Sequence, residues 1–245
     1  MVFPLGDDNS DRRTTPFVNY GIIIVNVLVF VFLQNMGENN DFTYAYAAVP
    51  QEIITGKDIV TDDHLMIEPL SGEKVEVPGL RPTPIPVWLT LLTSIFMHGG
   101  IAHIAGNMWF LWIFGDNIED DLGHLRYLAF YLVCGILASL AHVLASVGGP
   151  NALIPTLGAS GAISGVLGGY MVLHSQRRVT VILFRFLTEV PAYVAVGIWF
   201  LFQLISGLGA LGEGTQSGGV AYAAHVGGFV AGLVLIKPFM FGHLR

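Results

Sequence analysis

The longest uncharged segment of the chain is residues 127–176, YLAFYLVCGILASLAHVLASVGGPNALIPTLGASGAISGVLGGYMVLHSQ. A helix that spans a membrane needs about 20 mostly apolar residues. The segment is long enough for two such helices, and the turn-forming sequence Gly148-Gly149-Pro150-Asn151 divides it near its middle. It therefore predicts two consecutive membrane spans.

The rest of the chain has the same character. Apolar residues make up 53% and charged residues 12% of the sequence, about half the charged share of an ordinary soluble domain. Four more segments lack charge: 14–37, 82–115, 190–212 and 214–236. In lipid an open segment must be helical, so the sequence predicts an all-α membrane protein with six spans. The predicted spans are 17–35, 100–116, 127–147, 159–175, 190–207 and 219–236.

The distribution of charge predicts the orientation of these spans. An even number of spans places both termini on one side, and the segments on that side carry eight of the eleven basic residues. The positive-inside rule then predicts cytoplasmic termini in a plasma-membrane protein. The predicted regions are an N-terminal tail (1–16), a six-span domain (17–236) with an acidic outer loop (36–99), and a C-terminal tail (237–245).

Two details refine this organisation. The acidic residues before the first span have the wrong sign for a signal peptide, so we expect that span to remain uncleaved. Within the outer loop, the short apolar segment Val87–Phe96 lies between prolines and glycines. We expect it to form an interfacial or re-entrant helix.

Polar residues within apolar spans are costly and are therefore candidates for function. Those that stand out are His98, His103, Asn107, Ser160, Ser164 and His225. At the rise of an α-helix, Ser160, His103 and His225 lie about 25, 20 and 18 Å from the nearest charged residue on the inner side. All three are thus expected at similar depth in the outer half of the bilayer.

The sequence around Ser160 and His225 favours a nucleophile–base pair. Ser160 follows an outer turn and begins a helix, whose free N–H groups could stabilise an oxyanion. His225, on the last span, could accept the serine proton if the two side chains meet. The alternatives are that the surrounding glycines form a helix-packing face, and that His225 is a proton relay or bonds a carbonyl.

The third group lies on span two. His103 and Asn107 are four residues apart and share a helix face, where both could donate to an oxyanion. The alternative is structural hydrogen bonding between helices, which we favour for His98. A zinc site of His98, His103 and His225 would lack the HExxH pattern, thiolates and carboxylates. We expect no metal and no other cofactor.

Together these residues resemble the rhomboid family of intramembrane serine proteases. The matching motifs are His98-x4-His103-x3-Asn107, Gly158-Ala159-Ser160-Gly161, Ala224-His225-x2-Gly228-x3-Gly232 and the segment FGDNIEDDLGHLRYLAFY (114–131). The resemblance implies a six-helix rhomboid-type bundle with a long outer loop between spans one and two.

The resemblance also implies roles for individual residues. Ser160 is the nucleophile and His225 the general base. His103, Asn107 and the backbone N–H of Ser160 form the oxyanion hole. The supporting residues are Gly158 and Gly161 beside the nucleophile, Gly228 and Gly232 in the packing of span six on span four, and His98.

The implied activity is cleavage of transmembrane segments, in single-span or other membrane proteins, within the outer half of the bilayer. The partners are therefore substrates and lipid. The scattered basic residues argue against nucleic acid, and the oligomeric state stays open. The chain departs from some members at two places. Leu89-Thr90 replaces Trp-Arg, and Ser164 replaces a tyrosine that stacks on the histidine.

Two other functions remain as alternatives. A non-catalytic rhomboid-like protein would bind and escort membrane helices, but such proteins usually lack the serine or the histidine. A small transporter or channel could use the buried histidines as a proton path. Intramembrane carboxylates and broken helices, which are typical of transporters, are not evident in the sequence.

Overall fold

The computed structural model describes residues 2–67, 74–183, 186–213 and 222–241. This part of the chain is mostly helical. In chain order the elements are β1 (Val2–Asp7), α1 (Phe17–Leu28), α2 (Asn40–Tyr46), α3 (Pro50–Thr55), β2 (His64–Ile67), β3 (Lys74–Val77), α4 (Thr90–Thr93), α5 (Ile101–Leu122), α6 (His124–Ser146), α7 (Ser160–Leu173), β4 (Arg178–Leu183), β5 (Phe186–Pro191), α8 (Ala192–Glu213) and α9 (Tyr222–Met240).

The long helices coincide with the predicted spans, although several continue beyond them. α1 is extended by the π-helical segment Val29–Leu33. By length and composition alone, α6 and α9 are able to cross a membrane. Val87–Phe96 and α5, bent by 79° at the break between them, form a third such helix if the pair counts as one span. The apolar helices agree with a membrane bundle, and the number of six spans stays a prediction.

The described residues are mostly helical, as predicted for an all-α protein, and they also contain two small antiparallel sheets that were not predicted. β4 pairs with β1 on one side and with β5 on the other, while β2 and β3 form a hairpin within the predicted outer loop. The lipid constraint excludes open strands only inside the bilayer. These strands lie almost entirely outside the uncharged segments, so it does not apply to them.

The N-terminal residues, predicted as a tail, pack against α5. The indole N–H of Trp109 donates to the carbonyl of Pro4 at 2.8 Å. The Asn117 amide donates to the Asp7 carboxylate at 2.8 Å, and Arg12 forms an ion pair with Asp116 at 2.7 Å. From residue 2 onward, this segment is part of the folded body.

Helices α7 and α9 pack through glycines, without intervening side chains. A Cβ added to Gly228 would overlap the carbonyl oxygen of Gly161, and one added to Gly232 would overlap that of Gly165. Small residues at this spacing allow helix backbones to touch. The close approach brings the first turn of α7, with Ser160, next to the first turn of α9, with His225.

The connection between α6 and α7 is held by the segments around it. Ala48 and Thr156 exchange two backbone hydrogen bonds, of 3.0 and 2.8 Å. The N–H of Gly158 donates to the carbonyl of Ser94 at 2.9 Å. These bonds fix the chain immediately before Ser160.

Candidate active site

Ser160 is the first residue of α7. The preceding residue, Ala159, offers no side-chain cap. The N–H of Ile163 donates to the carbonyl of Ala159, so the N–H groups of residues 160–162 come before the first hydrogen bond within the helix. These N–H groups are donors available at the helix N-terminus, where negative charge is favoured.

The structure brings Ser160 and His225 into hydrogen-bonding contact. Their Oγ and Nε2 atoms are 2.8 Å apart, although 65 residues separate them in the chain. Both side chains are partly buried. This arrangement allows the imidazole to accept the serine proton, which is the geometry of a serine–histidine pair.

A further side chain, which the sequence reasoning missed, contacts the other nitrogen of His225. The Nδ1 atom lies 2.8 Å from Oε1 of Gln203, a buried residue of α8. Ser164, at the position of a tyrosine in some rhomboids, instead donates its hydroxyl to the carbonyl of Ser160 at 2.6 Å. Gln203 is a polar residue within a predicted span, so the same signal that selected Ser160 could have found it.

His103 lies beside the loop that precedes Ser160. Its Nδ1 accepts from the N–H of Gly99 at 3.3 Å, so the ring proton resides on Nε2. A Cβ on Gly158, whose φ is +129°, would come within 2.9 Å of Cε1 and 3.0 Å of Nε2 of His103. The ring therefore packs against the Gly158 backbone, with a donor nitrogen on that side.

Asn107 lies one helical turn beyond His103, on the same face of α5. Its side chain is 9% exposed, and Nδ2 has no hydrogen-bond partner within the described residues. Asn107, His103 and Ser160 line one cavity. The amide is therefore a buried donor at the cavity that also holds the serine hydroxyl.

His98 is placed differently. Its side chain is fully buried, and neither ring nitrogen has a hydrogen-bond partner in the described part of the chain. Its backbone N–H and carbonyl bond the side-chain amide of Gln34 at 2.8 and 3.0 Å. The ring lies edge-on to His103, with centroids 5.2 Å apart. The His98 ring therefore packs against its neighbours without a hydrogen bond to the described residues. The structural hydrogen bonds expected for His98 are made by its backbone, to Gln34.

The cavity around the serine has a volume of about 600 Å³. Its walls combine polar groups with apolar side chains, among them Phe110, Leu167 and Trp199. Across ranges 2–67, 74–183, 186–213 and 222–241, no three His, Cys, Asp or Glu side chains gather as a metal site. The chemistry that this cavity offers is that of a hydroxyl, an imidazole and several N–H donors.

The chain matches the Rhomboid domain family over residues 86–240. The matched region runs from just before α4 to the end of α9 and includes every cavity residue named above. Because the match covers more than half of the chain, the chain belongs to the rhomboid family, whose members are membrane proteins.

Individual relatives agree with this assignment. The chain is 35% identical over 147 residues to the rhomboid protease GluP of Bacillus subtilis (strain 168), a match that covers 59% of the chain and 25% of that relative. It is 31% identical over 153 residues to the mitochondrial rhomboid protein 1 of Saccharomyces cerevisiae, a match that covers 60% of the chain and 40% of that relative. Over 92 residues it is 34% identical to the human presenilin-associated rhomboid-like protein, mitochondrial. That match covers 38% of the chain and 24% of that relative. The matches thus span between 24% and 40% of these relatives.

Proposed function

We propose that the protein is an intramembrane serine endopeptidase with a Ser160–His225 dyad. The observation that carries the proposal is the 2.8 Å contact between Oγ of Ser160 and Nε2 of His225. Membership of a family that includes a named rhomboid protease, GluP, supports it further.

In this mechanism His225 accepts the hydroxyl proton as Ser160 attacks the scissile carbonyl carbon. The tetrahedral intermediate places negative charge on the former carbonyl oxygen. The N–H of Ser160, Nε2–H of His103 and the amide of Asn107 donate to that oxygen. His225 then gives the proton to the leaving amine. In the second half of the reaction, His225 accepts a proton from water as the water attacks the acyl-enzyme, and it returns that proton to the Ser160 oxygen as the product acid leaves.

The substrates in this proposal are transmembrane segments of single-span or other membrane proteins. A peptide bond within a helix is shielded by its own hydrogen bonds, so the substrate must unwind locally before Ser160 can reach it. Helix-weakening residues near the cleaved bond should therefore favour cleavage. With six spans and cytoplasmic termini, the cleaved bond lies in the outer half of the bilayer.

The plasma membrane remains the proposed location. Two of the relatives carry mitochondrial names, so family membership is compatible with more than one membrane. The glycines of segment 208–219 suggest a cap over the site, and residues 214–219 of this segment lie outside the described part of the chain.

A fluorophosphonate probe and a single-span reporter protein test this function together. The purified full chain should be labelled by the probe and should cleave the reporter. Ser160→Ala should lose both activities, while its melting temperature stays close to that of the wild type. Ser139→Ala, on α6 and away from the cavity, should behave as the wild type. Unchanged labelling and cleavage in Ser160→Ala would reject Ser160 as the nucleophile.

A further inference from the structure

We propose that Gln203 is a positioning residue that holds the imidazole of His225 in the tautomer needed for catalysis. The proposal rests on the proposed function, since it concerns the base of that reaction. Its starting point is the 2.8 Å distance between Oε1 of Gln203 and Nδ1 of His225.

The contact selects one of two tautomers. A neutral imidazole carries one proton, on either Nδ1 or Nε2. A carboxamide oxygen can only accept a hydrogen bond, so a bond to Oε1 requires the proton on Nδ1. Nε2 then presents its lone pair to Oγ of Ser160, 2.8 Å away. This is the form in which His225 can accept the serine proton.

Gln203 is the neighbour that bonds Nδ1 of His225, and the other side chains beside the ring differ from it in chemistry. The rings of Trp199 and Tyr222 lie beside His225, with centroids 6.2 and 6.5 Å from its own. The indole nitrogen of Trp199 can only donate a hydrogen bond. The residues that line the cavity include no aspartate or glutamate. Gln203 therefore occupies the place that an aspartate holds in a Ser-His-Asp triad.

A neutral amide suits this place physically. Gln203 is 8% exposed and lies on an apolar helix. A charged carboxylate in such surroundings carries a large desolvation cost. The amide oxygen accepts the same hydrogen bond without that cost, and the bond is stronger in a low-dielectric site than in water.

Loss of the acceptor should impair the base and leave the substrate cavity unchanged. Without Oε1, Nδ1–H has lost its partner and the ring can adopt the Nε2–H tautomer, which points a proton at Ser160. A buried hydrogen bond of this kind is worth about a tenfold to hundredfold change in rate. We expect that change in kcat, with little change in KM.

The test compares Gln203→Met, which keeps the length and apolar shape but lacks an acceptor oxygen, with Gln203→Glu, which keeps the oxygen. Phe202→Leu, at the neighbouring exposed position of α8, is the matched control. The full chain is purified, and kcat and KM for the reporter, the fluorophosphonate labelling rate and the melting temperature are measured. We expect kcat and labelling to fall about tenfold to hundredfold in Gln203→Met, with more activity in Gln203→Glu and wild-type values in Phe202→Leu.

If Gln203 had only a structural role, Gln203→Met would be more active than Gln203→Glu. An apolar methionine packs better on a helix in lipid than a carboxylic acid does. Activity of Gln203→Met equal to the wild type, or above that of Gln203→Glu at equal melting temperature, would overturn the proposal. If Gln203→Met does not fold, Gln203→Leu takes its place in the same comparison. An inactive wild type would reject the proposed function and this role together, whereas an active wild type with an active Gln203→Met rejects this role alone.

Discussion

The α-carbon of Gly232 on α9 lies so close to the carbonyl oxygen of Gly165 on α7 that a methyl group could not fit between them. One turn earlier, Gly228 has the same relationship to Gly161. These contacts set the distance and register of the two helices that carry the serine and the histidine. The glycines are thus part of the geometry of the site, although none of them has a reactive group.

Gly232→Ala should therefore destabilise the protein and weaken catalysis. The added methyl group must push α9 away from α7, and such overpacking costs about 1–3 kcal/mol. A thermal melt in detergent and the rate of reporter cleavage measure the two effects.

Gly197→Ala is the matched control for that substitution. Gly197 is also a helical glycine, but a Cβ there meets nothing within 4 Å. Alanine is favoured over glycine in a helix by about 0.5–1 kcal/mol. We expect equal or slightly higher stability, and a similar loss in both variants would contradict the role of the Gly232 contact.

Asn107→Ala should slow turnover with a smaller effect on folding. Removal of one oxyanion donor typically lowers kcat by about 10²–10³, and the amide nitrogen that is lost makes no hydrogen bond to the described residues. Steady-state kinetics on the reporter measure kcat and KM separately. Met108→Leu, the next residue on α5, should keep wild-type kcat. An unchanged kcat in Asn107→Ala would remove this residue from the oxyanion hole.

Gly158→Ala should lower activity by displacing His103. At φ +129° an alanine is strained, and its Cβ would lie 2.9 Å from the His103 ring. A shift of about 1 Å in a catalytic group can cost on the order of a hundredfold in rate. Gly149→Ala, in the same connection but without a close contact or positive φ, should cleave the reporter at the wild-type rate. Full activity of Gly158→Ala would show that the His103 position is not critical.

The stability of the N-terminal strand should depend on pH through Asp7. Burial raises the pKa of this carboxyl from 3.8 to about 6, although Tyr170 donates a hydrogen bond to it and Arg177 lies nearby. The nearby Asp116 carboxyl contributes to the rise. The folded state therefore binds the proton more tightly than the unfolded state, and this contribution to stability falls as pH rises from about 4 to about 6.

Asp7→Asn removes that titration. Its melting temperature, relative to the wild type, should rise between pH 4 and pH 6 and level off above. Asp8→Asn is the control. Hydrogen bonds from Ser10 lower the pKa of Asp8 below its usual 3.8, so this carboxyl changes stability only below about pH 4, and the difference between Asp8→Asn and the wild type should stay constant from pH 4 to pH 6. A wild-type-minus-variant difference for Asp7→Asn that does not change with pH would contradict the assignment.

The sequence predicted the helices well because lipid imposes strong constraints on apolar segments. The errors lie where polar residues continue a helix. α5 was expected to end at residue 116 and instead continues to Leu122. The carboxylates of its last turns find partners elsewhere: Glu119 accepts from the N–H groups of Val18 and Asn19, and Asp120 from those of Arg13 and Thr14. Partners so distant in sequence cannot be read from local hydrophobicity.

The strands were missed for a related reason. In β4, buried Val179 and Val181 alternate with more exposed neighbours, which is a recognisable strand pattern. Its partner β1 lies more than 170 residues away and includes a proline and a glycine. No local signal pairs these two segments.

The site was accessible to sequence reasoning to the extent that its residues are unusual for a membrane span. Ser160, His103, Asn107 and His225 stand out as polar groups in apolar surroundings, and the structure gathers all four at one cavity. The role of Gln203 depends on the rotation of α8 about its axis, which the sequence alone does not determine.

The pairing of β1 with β4 also has a consequence for the order of assembly during synthesis. Val2 is synthesised before its partner Leu183, which follows 181 residues later. At about 5–20 residues per second, the N-terminal strand waits roughly 10–35 s for the edge it completes. During that period β1 has no strand to pair with, and this sheet closes only after α1 to α7 have been made.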